Sequence, residues 1–191
     1  ILPGSAPDWF KQASPEGKVP LVMIDGEPVL ESAAIAELFD TLTGHSLMPD
    51  DPILQARVRR WVTMASDCQG SMGAVIRAGD EAAYTEALQS LQAQLTQVAG
   101  ELDADGPFFC GQQLTLADCA FAPLLLELQE LDPDVPLYPA DQPRLRRWAE
   151  AVCALPAVSR AVDDDATGVV DRLISRIGGE GHLARLLADA A

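Results

Sequence analysis

With 191 residues, 48% of them apolar, the chain can hold one large or two small domains around a substantial core. A formal net charge of −16 with only two lysines argues against nucleic acid as a partner, because phosphate backbones are bound by basic faces. No stretch of about 18 apolar residues occurs, so no membrane span is expected, and four scattered cysteines without a Cys-x-x-Cys pair fit a reducing, cytoplasmic setting and give no metal signature.

The chain opens Ile1-Leu2-Pro3-Gly4, with no initiator Met and no secretory pattern, and so reads as beginning inside a protein. Residues 7–13 predict a short helix with Pro7 near its start, Asp8 in its first turn, and Trp9 and Phe10 as its packing face. Ser14-Pro15-Glu16-Gly17 is a turn. Leu21–Ile24 and Glu27–Leu30 then read as a β-hairpin closed by Asp25-Gly26, the dipeptide suited to a two-residue type I′ turn. Pro28 cannot donate to a ladder, which places the second strand at a sheet edge. Ile35, Leu38, Phe39 and Leu42 follow at helical spacing, with Ser32 in the N-cap position. A lone hairpin is marginal, so the first strand is expected to need a neighbour that this sequence does not supply.

Residues 44–52 are rich in turn formers and separate a mixed α/β composition from a nearly pure helical one, which sets the expected domains at 1–46 and 47–191. Asp51-Pro52 opens a long helix with Leu54, Val58, Trp61, Ala65 and Cys68 on one face. A second carries Tyr84, Leu88, Leu91, Leu95, Val98 and Leu102, and the short Gly79-Asp80 turn makes the two antiparallel neighbours. Thr115 and Asp118 have capping-box spacing ahead of a helix to about Leu131 that is apolar on almost every side. Asp118 is therefore read as a structural cap rather than a catalytic acid. Residues 145–155 form another helix containing Trp148, and Pro156 closes or redirects it. Asp163-Asp164-Asp165 reads as a solvated helix start, since three adjacent carboxylates cannot face one ion. A last helix, broken at Gly178-Gly179, is expected over 169–190 with a tail able to cover a cleft. Cys68, Cys110, Cys119 and Cys153 are each read as small core hydrophobes, Cys119 most clearly from its apolar helix. Neither His45 nor His182 stands in a catalytic or metal-binding pattern.

One arrangement carries chemistry. The first amides of a helix lack internal partners and sit at the positive end of its dipole, so a carboxylate docks there, and Ser32 adds a hydroxyl. Glu31 beside it places an anion where a substrate ammonium would lie. Val19-Pro20 is an X-Pro bond, the only kind with an appreciable cis fraction. A cis bond there would free the Val19 backbone to pair with an extended peptide. Together these describe a pocket for a small peptide with a free α-amino-acid end.

Lys18-Val19-Pro20-Leu21-Val22, the run from Asp25-Gly26 to Glu31-Ser32, and then Leu47–Pro52 and Leu114–Asp118 resemble the glutathione transferase superfamily in its own order. The segment at 7–18 is similar to its omega class and bacterial relatives. The resemblance implies a partial thioredoxin-like α/β domain followed by an all-α domain, glutathione as co-substrate, and a homodimer built on the two long helices. It implies that Val19, next to cis-Pro20, pairs with the cysteinyl backbone of glutathione and that Glu31 and Ser32 hold its γ-glutamyl end. It also implies a leading strand-helix-strand unit of roughly fifty residues before Ile1, by the usual size of such domains. That unit carries the catalytic Cys, Ser or Tyr, so no catalytic residue is named here. Ala6 stands where the omega pattern has a glutathione-contacting lysine. The expected activity is thiol transfer and reduction, or conjugation of an electrophile. The alternatives are a non-catalytic regulator resembling stringent starvation proteins, or a dehalogenase, ether-cleaving enzyme or isomerase of the superfamily.

Overall fold

The structure, a computed structural model, describes residues 6–44, 47–161 and 181–190. His45, Asp163-Asp164-Asp165 and the 169–180 part of the last expected helix lie outside them. The helix α1 (Asp8–Ala13) buries Phe10 but leaves Trp9 53% exposed, its ring meeting Phe10 edge-on at 5.9 Å. Trp9 is thus not on the packing face as expected. Neighbouring residues point about 100° apart around a helix, and a six-residue helix has one face to bury.

Strands β1 (Leu21–Ile24) and β2 (Glu27–Leu30) pair antiparallel, Leu21 opposite Leu30 and Ile24 opposite Glu27. Asp25 and Gly26 have φ of 51° and 86°, the two positive values a type I′ turn requires. Pro28 faces Met23 across the β1–β2 pair, and among the described residues β2 has no second neighbour, so its missing donor is tolerated. The helix α2 (Ser32–Thr43) follows at once and ends at Gly44, whose φ of 67° a glycine adopts without penalty.

Beyond residue 47 every described element is helical. The long α3 (Pro52–Arg77) starts where the Asp51 carboxylate accepts the Ile53 N–H at 2.7 Å, and α4 (Glu81–Glu101) where Asp80 accepts the Ala83 N–H at 2.9 Å. Their expected stripes are largely buried: Val58, Trp61, Ala65 and Cys68 on one, Tyr84, Leu91, Leu95 and Val98 on the other. The central helix is α5 (Leu116–Leu131), packed on α3 and on α6 (Pro143–Cys153); α7 (Pro156–Ala161) and α8 (His182–Ala190) are the remaining helices among the described residues. The α8 start docks on the α3–α4 turn, with the His182 N–H on the Ala78 carbonyl at 2.8 Å and the His182 ring 5.0 Å from Tyr84. The order expected from sequence, a partial α/β portion followed by an all-α portion, is the order observed.

The core is keyed by aromatic rings. Trp61 and Phe109 lie 5.2 Å apart, Phe109 and Trp148 5.6 Å, and Phe121 and Trp148 5.2 Å. Each such pair is worth about 0.5–1.5 kcal/mol beyond its area. Among them sits Asp118, fully buried. Its Oδ1 accepts the Phe109 N–H and the Trp148 indole N–H, both at 2.7 Å, and its Oδ2 accepts the N–H and hydroxyl of Thr115, both at 2.8 Å. Thr115 is the N-cap of α5 and Asp118 its third residue. This carboxylate therefore ties the α5 start to the preceding loop and to α6, which is more than a cap does.

Glu127, on α5, is also buried, and both of its oxygens lie 2.9 Å from the Gln69 side-chain amide of α3. Burial raises its carboxyl above the ordinary value, opposed by the Gln69 hydrogen bond and reinforced by Glu130. The folded chain thus keeps this proton to higher pH than the unfolded chain. The stability it contributes is full below the unfolded pKa, about 4.3, and is lost as pH rises through the folded value. Glu127→Gln should match the parent in urea unfolding near pH 4 and exceed it at pH 8. A parent more stable than the variant at pH 8 would show the ionised carboxylate to be an asset.

Candidate functional site

The hairpin register brings two distant segments together. Because Leu21 pairs with Leu30, the residues entering β1, Val19 and Pro20, and those leaving β2, Glu31 and Ser32, share the open end of the hairpin. The Val19–Pro20 bond is cis. Val19 is 67% exposed, and no hydrogen bond joins its backbone to another described residue. Its N–H and C=O are free to meet an extended chain.

Glu31, not Ser32, is the N-cap of α2, and Ser32 is already helical. Serine is the commoner cap, but here the chain passes from strand to helix within one residue, and Glu31 takes the turn with φ 70° and ψ 116°. A glutamate held there costs on the order of 1–3 kcal/mol. Its side chain makes no capping hydrogen bond to offset that. The first amide bonded inside α2 is that of Ile35, to the Glu31 carbonyl at 3.0 Å, which leaves the N–H groups of Ser32, Ala33 and Ala34 free. An exposed carboxylate, an exposed hydroxyl and three unbonded amides at a positive dipole end can hold both charges of an α-amino acid.

Lys18, which the sequence reading did not single out, adds a cation beside Val19. Its Nζ lies 3.0 Å from Glu16, whose hydrogen bond and charge raise the ammonium above its ordinary value, and Glu31 raises it further through space. The signal was present in the sequence as a lysine directly before Val-Pro, but only the hairpin register brings it near Glu31.

Ser32 also borders a mainly apolar groove of about 590 Å³ between α2, α3 and α5, lined by Ala33, Ala36, Val62, Cys119 and Pro123 among others. No α8 residue lines it, so the expected cover from the last helix is not formed by 181–190. Cys119 is exposed on this groove rather than in the core as expected, and Cys110 is exposed as well. The turns of α5 that carry Cys119 and Pro123 face a side that the described residues leave open, which an all-round apolar sequence does not reveal. Cys68 is buried and Cys153 half-buried. Burial pushes the thiols of Cys68 and Cys153 up to about 11 and raises those of Cys110 and Cys119. None is a ready thiolate. Among the described residues no cluster of His, Cys, Asp and Glu could hold a metal ion, and no helix is long and apolar enough to cross a membrane.

Residues 1–46 match the family model for the glutathione S-transferase N-terminal domain, and residues 49–156 that for the glutathione S-transferase C-terminal domain. Over 172 residues, 85% of this chain and 75% of the relative, it is 29% identical to glutathione transferase GST 23 of Zea mays. Over 138 residues, 66% of this chain and 65% of the relative, it is 36% identical to the maleylacetoacetate isomerase of Rhizobium meliloti. The crystal structure of rice GST1 in complex with glutathione has the same fold, with a TM-score of 0.75 at 21% identity over 91% of this chain and 81% of that one.

Proposed function

The chain belongs to the glutathione S-transferase family, and from that premise we propose that it is a glutathione-dependent transferase whose tripeptide is gripped at the open end of the β1–β2 hairpin. In this reading residues 1–46 are the thioredoxin-like glutathione-binding domain and 47–191 the all-α domain. The free amides of 32–34 and the Ser32 hydroxyl take the γ-glutamyl carboxylate, and Glu31 takes its ammonium. Val19 pairs with the cysteinyl backbone as an added strand. Lys18 supplies the cation that the omega-like pattern places at position 6, where this chain has Ala6. The observation that carries the proposal is the strained, exposed Glu31 beside three unbonded amides.

Glutathione acts as co-substrate: its thiolate attacks an electrophile or a disulfide. We assign no catalytic side chain, and the raised thiols of all four cysteines argue against these as the nucleophile. The omega-like segment at 7–18 favours thiol transfer and reduction over conjugation. The identity with the Rhizobium isomerase favours isomerisation as a second reading. The free cysteines fit a reducing cytoplasm, and family membership supports a homodimer.

Isothermal titration of the full chain with S-methylglutathione, whose blocked sulfur cannot react, tests capture apart from chemistry. A Kd of about 1 mM or tighter is expected; no binding up to several times that concentration would overturn the proposal. Lys18→Ala should weaken the complex about fivefold at low salt and less at high salt, as an exposed charge contact does. A loss independent of salt would deny Lys18 that role.

A further inference from the structure

Resting on the glutathione reading, the attachment of α2 to the helical domain gains a role. Glu37, on α2 five residues beyond Ser32, meets Arg59 of α3 through two bonds, Nε to Oε1 at 2.8 Å and Nη2 to Oε2 at 3.1 Å. Asp40, three residues further and so on the same face, accepts the Leu47 N–H at 2.9 Å through Oδ1. The Leu47 carbonyl in turn accepts the N–H of Leu116, the first residue of α5, at 2.9 Å. Between Ser32 and these contacts α2 stands off from α3 across the groove, which Glu37 and Arg59 border from its two sides.

We infer that Glu37 and Asp40 form a positioning clamp, with Arg59 and Leu47 as its anchors, that sets the tilt and rotation of α2 and so aims the amides of 32–34 at glutathione. Two parallel N–H···O bonds fix an angle that a single contact leaves free. The second anchor on Leu47 prevents α2 from swinging about the first. A half-exposed ion pair contributes little to global stability. Its loss is therefore read in ligand affinity and in local motion of α2, not in unfolding.

The test uses the full chain with Glu37→Gln, Arg59→Lys and the charge-swapped pair Glu37→Arg with Arg59→Glu. It measures S-methylglutathione affinity, melting temperature, and ligand-free hydrogen exchange of amides 35–43. Each single variant should weaken binding about fivefold and speed exchange in 35–43 but not in α3, with melting moved by less than about 2 °C. The swapped pair should recover most of the affinity, which a loss of packing would not allow. Unchanged exchange and affinity in both single variants, or a swapped pair weaker than either, would overturn the clamp. A parent that binds no glutathione while the variants speed exchange in 35–43 would sink the glutathione reading and leave the clamp standing.

Discussion

Asp118→Ala should destabilise the protein by about 4 kcal/mol, several times the ~1 kcal/mol that a lost helix cap costs. The difference follows from what the carboxylate touches. It accepts four hydrogen bonds while fully buried, and two of the donors, the Phe109 amide and the Trp148 indole, belong to other parts of the chain. Alanine would leave those two and both Thr115 donors buried without acceptors. Each such donor carries a penalty of roughly 1–3 kcal/mol, relieved in part where the site collapses or admits water. Asp118→Asn keeps the shape but turns an amide N–H toward one pair of donors, so about half the loss is expected. Urea unfolding measures both. Should alanine prove too unstable to purify, a cycle of Asp118→Asn with Trp148→Phe keeps the test open, with a coupling of about 1 kcal/mol or more expected. A loss below about 1.5 kcal/mol for alanine, or no coupling in the cycle, would reduce Asp118 to an ordinary cap.

The same residue marks where the sequence was informative and where it fell short. Thr115 and Asp118 are three apart, so their role at a helix start is local and readable. Trp148 lies 30 residues away from Asp118, and no spacing rule joins them. The hairpin shows the same division: Asp25-Gly26 demands two positive φ values and has them, because that demand belongs to the turn alone. Ser32 was expected as the cap from its place between the strand and the start of helical spacing, yet Glu31 takes that position with a backbone that propensity disfavours. Local preference gives way where strand, turn and helix must join within one residue. Cys119 and Trp9 failed for another reason. Apolar character says that a side chain can be buried, while exposure depends on which neighbour covers that face. The Arg59–Glu37 bond, between residues 22 apart on two helices, left no trace in either helix's own pattern.

The strain at Glu31 leads to the sharpest separation of stability from function. Replacing Glu31 by glycine should relieve the positive φ and stabilise the fold by about 1 kcal/mol. The same change removes the carboxylate proposed to face the glutathione ammonium. A charge-assisted contact of this kind is worth about 1.5–3 kcal/mol, so affinity should fall about thirtyfold. Glu31→Ala loses the same contact but keeps the strained φ, since alanine also has a Cβ, and should bind as weakly without the gain in stability. Adding Ser32→Ala removes a hydroxyl and leaves the three amides in place, so the double variant should reach a loss of about a hundredfold rather than complete failure. Thermal unfolding and titration with S-methylglutathione, run on the same preparations, read the two effects independently. If Glu31 served the fold alone, glycine would leave binding untouched; if its backbone geometry were the feature that binds, alanine would bind like the parent. Stability and affinity moving in opposite directions at Glu31→Gly is the pattern required of a residue held in a costly conformation for the sake of its ligand.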